Sequence, residues 1–158
     1  FWRREQLDRP QALPWLTQLL AMDDAELSER RACWRTADCE PGYPCRVSLE
    51  DAEAGERLLL ANFDYLGEET PYRASHAVFV RAGARQARPE PGSIPDVIRR
   101  RLISVRGFDA DWMMVAADVV EGANLDATIG TMLADPDIAE LHLHIAKPGC
   151  YLARATRA

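Results

Sequence analysis

Two histidines, His142 and His144, stand two residues apart in the stretch HLHIAKPGCY. In a β-strand alternate side chains face opposite sides, so both imidazoles are predicted on one face, towards solvent or a cavity, with the leucines on the other. Two such imidazoles, with His76 as a third ligand, could bind a catalytic zinc or iron ion. Because H-x-H is a common pattern, we predict no metal here and keep the three-histidine site as an alternative.

A cysteine follows the Pro-Gly turn of the same stretch. A thiol close to His144 could be an activated nucleophile, which makes His144 and Cys150 the candidate catalytic residues. The alternative is that Cys150 is a small apolar residue at the start of the last strand. Cys45, directly after Pro44, has the same two interpretations.

Arginine supplies nearly all the positive charge, since Lys147 is the only lysine. A guanidinium group binds carboxylates and phosphates in a bidentate manner, and a charge is rarely buried without a partner. Arginines in predicted strands therefore either pair with carboxylates on the outside of the sheet (Asp109, Asp111, Asp118 or Glu56) or line a pocket for an anion. The residues predicted to line such a pocket are Arg46, Arg73, His76, Arg106, His142 and His144.

Composition restricts the classes of function. The chain has 158 residues, 47% hydrophobic and 28% charged, which fits one globular domain over 1–158. A net charge of −6 argues against nucleic acid as a partner. No apolar run reaches the roughly 20 residues of a membrane span, and the first ten residues do not resemble a signal peptide. Four cysteines are too few for a disulfide scaffold, so we expect a reduced, cytoplasmic protein.

The elements that position these residues indicate an α+β fold, a single domain with a mostly antiparallel sheet and two or three helices. Helices are predicted after a capping box at Asp23 and Glu26, at 124–134 with Asn124 as its cap, and, briefly, at IPDVIRRR. Strands are predicted at 45–49, 57–63 and 75–81, followed by a hairpin of 102–108 with 112–120 and a last hairpin around Pro148-Gly149.

The register of the last hairpin matters for the histidines. A two-residue turn at Pro148-Gly149 pairs His144 with Ala153 and His142 with Ala155, which would leave room around both imidazoles. A longer loop with a bulge would shift these pairs.

Four segments together resemble the bacterial proteins grouped as domain of unknown function 1203. The segments are PCRVSLEDAEAGERLLLANFDYL (44–66), TPYRASHAVFVR (70–81), RRRLISVRGFDADWMMVAADVVEG (99–122) and LHLHIAKPGCYLAR (141–154). The resemblance covers residues 20–158 and implies a small, soluble, single-domain bacterial protein without an assigned activity. Relatives usually have Asn after the second histidine, where this chain has Ile145, which puts any role of that amide in doubt.

The favoured prediction is thus a protein that binds or acts on a small anionic molecule, with the cofactor, if any, unknown. A metal-dependent enzyme is one alternative. A non-catalytic interaction protein that forms a homodimer is the other, because Trp2, Trp15, Trp34 and Trp112 could supply an aromatic interface.

Overall fold

The secondary structure is α+β, as predicted, and the strands pair in an antiparallel manner. The structure is a computed structural model that describes residues 2–5 and 12–157; for residues 2–5, 12 and 13 it describes the backbone alone. The strands are β1 (Trp2–Glu5), β2 (Cys33–Thr36), β3 (Arg57–Leu66), β4 (Ala74–Arg81), β5 (Leu102–Phe108), β6 (Met114–Glu121), β7 (Glu140–Ile145) and β8 (Tyr151–Arg157). The helices are α1 (Ala12–Leu20), α2 (Asp24–Glu29), α3 (Asp96–Arg99) and α4 (Leu125–Ala134), with a 3₁₀ turn at Gly122–Asn124.

The described residues form two compact units. The first contains 2–5, 64–76 and 88–157, and the second contains 12–63 and 77–87. The end of β3 (64–66) and the start of β4 (74–76) belong to the first unit. The single domain over 1–158 stays a prediction.

The first unit is built on a five-stranded sheet in the order β1-β8-β7-β5-β6. Both predicted hairpins of this region are present, β5 with β6 and β7 with β8. Helix α4 contacts the sheet, and its apolar stripe buries Leu125, Ile129 and Leu133. The prediction that Asn124 caps α4 through its side chain is wrong. The 3₁₀ turn runs directly into the helix, so Asn124 lacks the extended backbone from which a capping side-chain oxygen accepts a backbone N–H.

The predicted register of β7 with β8 is also wrong. His144 pairs with Tyr151 and His142 with Arg154, and the register shifts at Leu143/His144. The reason is a wider loop: the Gly149 N–H donates to the C=O of Ile145, and Gly149 has a φ of 76°, which glycine adopts readily. A tyrosine therefore lies opposite His144, where the two-residue turn would have placed an alanine.

The second unit contains α1, α2 and the three-stranded sheet β2-β3-β4, apart from the segments of β3 and β4 named above. The predicted capping box is present, because Asp23 Oδ1 accepts the Glu26 N–H while Glu26 Oε2 accepts the Asp23 N–H, each at 2.9 Å. Strand β2 had no counterpart among the predicted strands.

The predicted strand over 45–49 is wrong. Cys45 forms one isolated bridge, to Phe79, and the chain then turns so that the Leu49 N–H donates to the C=O of Cys45. Leu49 has a φ of 51°, in the left-handed region, which is incompatible with a strand. None of the helices in the described part of the chain is long and apolar enough to span a membrane.

Candidate functional site

The two histidines share one face of the five-stranded sheet with residues of β5. Arg106 lies opposite His142 and Ser104 lies opposite His144, so their side chains project to the same side. We call this side of the sheet the histidine face. His142 and His144 are 1% and 0% exposed, and Leu141 and Leu143, which alternate with them, are both fully buried. The strand is therefore covered on both faces.

Aromatic rings cover the imidazoles. The ring of Tyr65 meets that of His144 edge-on with centroids 5.0 Å apart, and it stacks on Tyr151 at 5.0 Å with an interplanar angle of 5°. The ring centroid of His142 is 4.8 Å from that of Phe108 and 6.2 Å from that of Trp112. These rings exclude water from the surroundings of both histidines.

Trp112 is held against His142 by an unusual turn. Its φ of 61° is rare for a bulky residue and costs conformational energy. Asp109 Oδ1 accepts the N–H groups of Asp111 and Met113, each at 2.9 Å, and the hydroxyl of Thr70 donates to the C=O of Trp112 at 2.9 Å. Hydrogen bonds on both sides of Trp112 thus offset its backbone strain.

His142 belongs to a buried charged group. Its Nε2 lies 2.7 Å from Glu140 Oε1, and Arg154 donates to the other carboxylate oxygen at 3.2 Å. Glu140 is 7% exposed. A buried carboxylate needs such partners, and Glu140 in turn fixes the orientation of the His142 ring.

His144 has a different environment. Its Nδ1 lies 3.0 Å from the C=O of Gly149. A carbonyl oxygen only accepts hydrogen bonds, so in the neutral ring Nδ1 carries the proton and Nε2 carries a lone pair. Nε2 is buried and has no hydrogen-bond partner among the described residues.

Burial, followed by the charge of Arg106, lowers the pKa of His144 to about 3. The imidazole is therefore neutral at physiological pH and can accept a hydrogen bond through Nε2. A neutral imidazole of this kind is a poor proton acceptor, since a general base works best with a pKa near the working pH.

Arg106 is the cation of the histidine face that is best placed to meet a ligand. Arg106 is half-buried and forms no ion pair with any described residue. Asp109, Asp111 and Asp118, which were predicted as possible partners of the strand arginines, do not pair with it. His76 is half-buried, and its charged form disfavours protonation of His144. The structure therefore brings four of the predicted residues into one region, namely His76, Arg106, His142 and His144.

The remaining predicted residues are Arg73, Cys150 and Arg46. Arg73 is exposed and pairs with Asp64 at 3.3 Å, a carboxylate that was not among the predicted partners. Cys150 is 7% exposed and follows Gly149, whose carbonyl oxygen accepts the His144 hydrogen bond. Arg46 is part of the second unit, where it is 1% exposed and donates to the C=O of Pro44.

No group of three or more His, Cys, Asp or Glu side chains within the described residues is arranged to hold a metal ion. The ring centroids of His142 and His144 are 6.4 Å apart. Their nitrogens Nε2 and Nδ1, respectively, are already hydrogen-bonded to Glu140 and Gly149.

Glu140, Tyr65 and Tyr151 are among the residues of the region that were absent from the predicted site. Glu140 could have been found, because the pattern E-L-H-L-H places it on the same face as both histidines. Tyr65 and Tyr151 could not, since their positions depend on a strand pairing and a bulge that no local pattern reveals.

Comparisons with known proteins extend this description. A family model described as "Protein of unknown function (DUF1203)" matches residues 42–157, in agreement with the resemblance noted from the sequence. No curated protein and no solved structure matches the chain.

Proposed function

This chain belongs to the DUF1203 family, and we propose that the histidine face of its five-stranded sheet binds a small molecule with an acidic group. The observation that carries the proposal is the combination of a half-buried Arg106 without an ion pair among the described residues and a neutral, fully buried His144 with an unused Nε2. A buried polar atom without a partner costs free energy, which a bound ligand could recover.

Arg106 and His144 would bind different chemical groups of the ligand. The guanidinium of Arg106 suits a carboxylate or phosphate. Nε2 of His144 accepts, so the ligand has to supply a hydroxyl or N–H donor. A small hydroxy acid combines both groups, with the donor a short distance from the acid.

Access to Nε2 requires a movement of the rings that cover it. Tyr65 and Tyr151 lie closest to His144, and their stacked pair would have to shift when a ligand enters. This supports a site that closes over its ligand and excludes water, in which hydrogen bonds and charge interactions are strengthened.

The experiment uses two probes that differ by one hydroxyl, lactate and propionate, followed by amide chemical shifts of residues 104–106 and 142–144. We expect saturable shifts with lactate and weaker binding of propionate. Arg106→Gln should weaken lactate binding at least tenfold, while His144→Asn, which retains a donor for the C=O of Gly149, should remove the preference for lactate.

Arg73→Gln is the matched control, because Arg73 is an exposed arginine that pairs with Asp64. It should bind lactate like the unaltered protein. Equal lactate affinity of the Arg106→Gln protein, or no saturable shift in any of these amides, would refute the proposal.

A homodimer is the second candidate, and the edge of the same sheet favours it. Strand β6 is the last strand of the sheet order, and Val115 and Val119 are 50% and 55% exposed on it. An apolar edge strand can pair with its own copy across a twofold axis. Sedimentation should then give twice the chain mass, and Val119→Lys should give a monomer. A monomer at high protein concentration would exclude this candidate.

A further inference from the structure

The second unit has a surface pocket of its own, unrelated to any residue of the predicted pocket. Its volume is about 430 Å³, within the roughly 300–1,000 Å³ of small-molecule sites. The lining consists of Ser48, Glu50, Arg81, Ala82, Gly83, Ala84, Arg85 and Ala87. Small residues form most of the loop after β4, which leaves the space above the polar residues open.

One arginine of the lining is fixed and neutralised. Arg81 donates to Glu50 Oε2 at 2.9 Å and to Glu56 Oε1 at 2.5 Å. The hydrogen bond from Arg81 lowers the pKa of the Glu56 carboxyl, so Glu56 stays ionised at neutral pH. The side chain of Arg81 is therefore held in place at the edge of the pocket, and its positive charge is largely neutralised by the two carboxylates.

Arg85 is the second arginine of the lining. It is exposed and has no ion pair with any described residue. Because Arg81 is already matched by Glu50 and Glu56, Arg85 is the cation of the lining that remains to meet a ligand. A single positive charge favours an anion with a single negative charge.

Ser48 supplies a hydroxyl group. Its Oγ is buried and lacks a hydrogen-bond partner among the described residues. The position of Ser48 is well defined, because Cys45 Sγ accepts the N–H of Ser48 at 3.5 Å and that of Arg81 at 3.4 Å. The same sulfur thus connects the turn over 45–49 to the end of β4 and fixes the backbone of Ser48 beside the pocket. The buried hydroxyl has to rotate towards the pocket to donate to a ligand.

We infer that this pocket binds the carboxylate group of a small molecule, with Arg85 as the cation and the Ser48 hydroxyl as a second donor. A carboxylate can accept from both at once, and its single charge matches that of Arg85. This site is independent of the one proposed on the histidine face, and either can exist without the other.

The test is a titration with acetate at constant ionic strength, followed by the amide resonances of residues 48–50 and 81–87. We expect saturable shifts there, a loss of affinity of at least fivefold in Arg85→Gln and of at least twofold in Ser48→Ala. Arg88→Gln, which changes an exposed arginine outside the lining, should bind acetate unchanged. Arg106→Gln should also leave these shifts intact, which separates the pocket from the histidine face.

Three outcomes would overturn the inference. The first is the absence of saturable shifts in a protein whose amide spectrum is otherwise folded. The second is an Arg85→Gln protein that binds acetate as the unaltered protein does. The third is tighter binding of inorganic phosphate than of acetate, since a dianion would then be the better match.

Discussion

The buried His144 makes the stability of the fold depend on pH. Its pKa falls from 6.5 in the unfolded chain to about 3 in the fold, so only the unfolded state binds a proton between these values. The contribution of His144 to stability is complete above pH 6.5 and is lost progressively as the pH falls towards 3.

We therefore predict a decrease in the free energy of unfolding between pH 6.5 and 4.5. At about 1.4 kcal/mol for each pH unit, the contribution of His144 is roughly 2–3 kcal/mol. Urea denaturation at several pH values measures it. His144→Asn should have a flatter profile than the unaltered protein. Parallel profiles of the unaltered and His144→Asn proteins would contradict the assignment.

Glu140 should contribute to stability through its two partners. Glu140→Gln removes the carboxylate charge that faces Arg154 in a largely buried position, and we expect a loss of about 2–4 kcal/mol in the free energy of unfolding. Asp64→Asn removes the same kind of charge from the exposed pair with Arg73 and should cost less than about 1 kcal/mol. Similar costs for the two substitutions would show that burial does not set the strength of the Glu140 contacts.

The predictions from sequence succeeded for residues whose position follows from strand alternation. His142 and His144 share a face because they are two apart, and Arg106 joins them because its strand pairs with theirs. Arg46 illustrates the limit. Its predicted position in the pocket required a strand over 45–49. The chain turns there instead, with Leu49 in the left-handed conformation. Leucine rarely adopts this conformation, so the sequence does not indicate the turn.

At the scale of elements, helix α2 ends in a motif that usually contains glycine. The Ala32 N–H donates to the C=O of Leu27 at 2.8 Å and the Arg31 N–H to that of Ser28 at 3.0 Å. These are the two bonds of the Schellman motif, and Arg31 occupies its left-handed position with a φ of 55°.

Arg31→Gly should therefore stabilise the protein. Glycine avoids the left-handed penalty of about 1–2 kcal/mol but loses about 0.5–1 kcal/mol of chain entropy, so we expect a net gain of roughly 0.5–1 kcal/mol. Arg30→Gly, at a neighbouring exposed position with a φ of −88°, should destabilise slightly. The midpoint temperatures of thermal unfolding of both variants test this prediction. A midpoint of Arg31→Gly below that of the unaltered protein would contradict the expected relief of strain.

Elements were easier to predict from the sequence than their register. The two hairpins of the first unit and strands β3 and β4 follow from hydrophobic patterns and turn residues. The bulge at Leu143/His144 does not, because the Pro-Gly turn is compatible with more than one loop length, and the choice depends on packing of Tyr151 against distant rings.

At the scale of the whole molecule, the four cysteines are free thiols that differ in their exposure to solvent. Cys39 is exposed, Cys33 is half-buried, and Cys45 and Cys150 are buried. Only exposed thiolates react with a disulfide reagent, and the hydrogen bond with Asp38 raises the pKa of Cys39, which slows its reaction.

In the native protein we expect one thiol to react first, Cys39, and a second more slowly, Cys33. Cys45 and Cys150 should react after unfolding in urea. A colorimetric disulfide-exchange assay counts them, with Cys39→Ser as the control that removes the first phase. Reaction of three thiols in the native state would contradict the burial of Cys45 and Cys150.

The division into two units has a practical consequence for genetic dissection of this protein. Residues 64–76 of the first unit interrupt the second, whose residues 77–87 resume before the first continues at 88. No single break in the polypeptide therefore separates one unit from the other. A gene fragment that ends between residues 64 and 87 encodes part of each, so separate expression of a unit requires joining non-adjacent segments through new linkers.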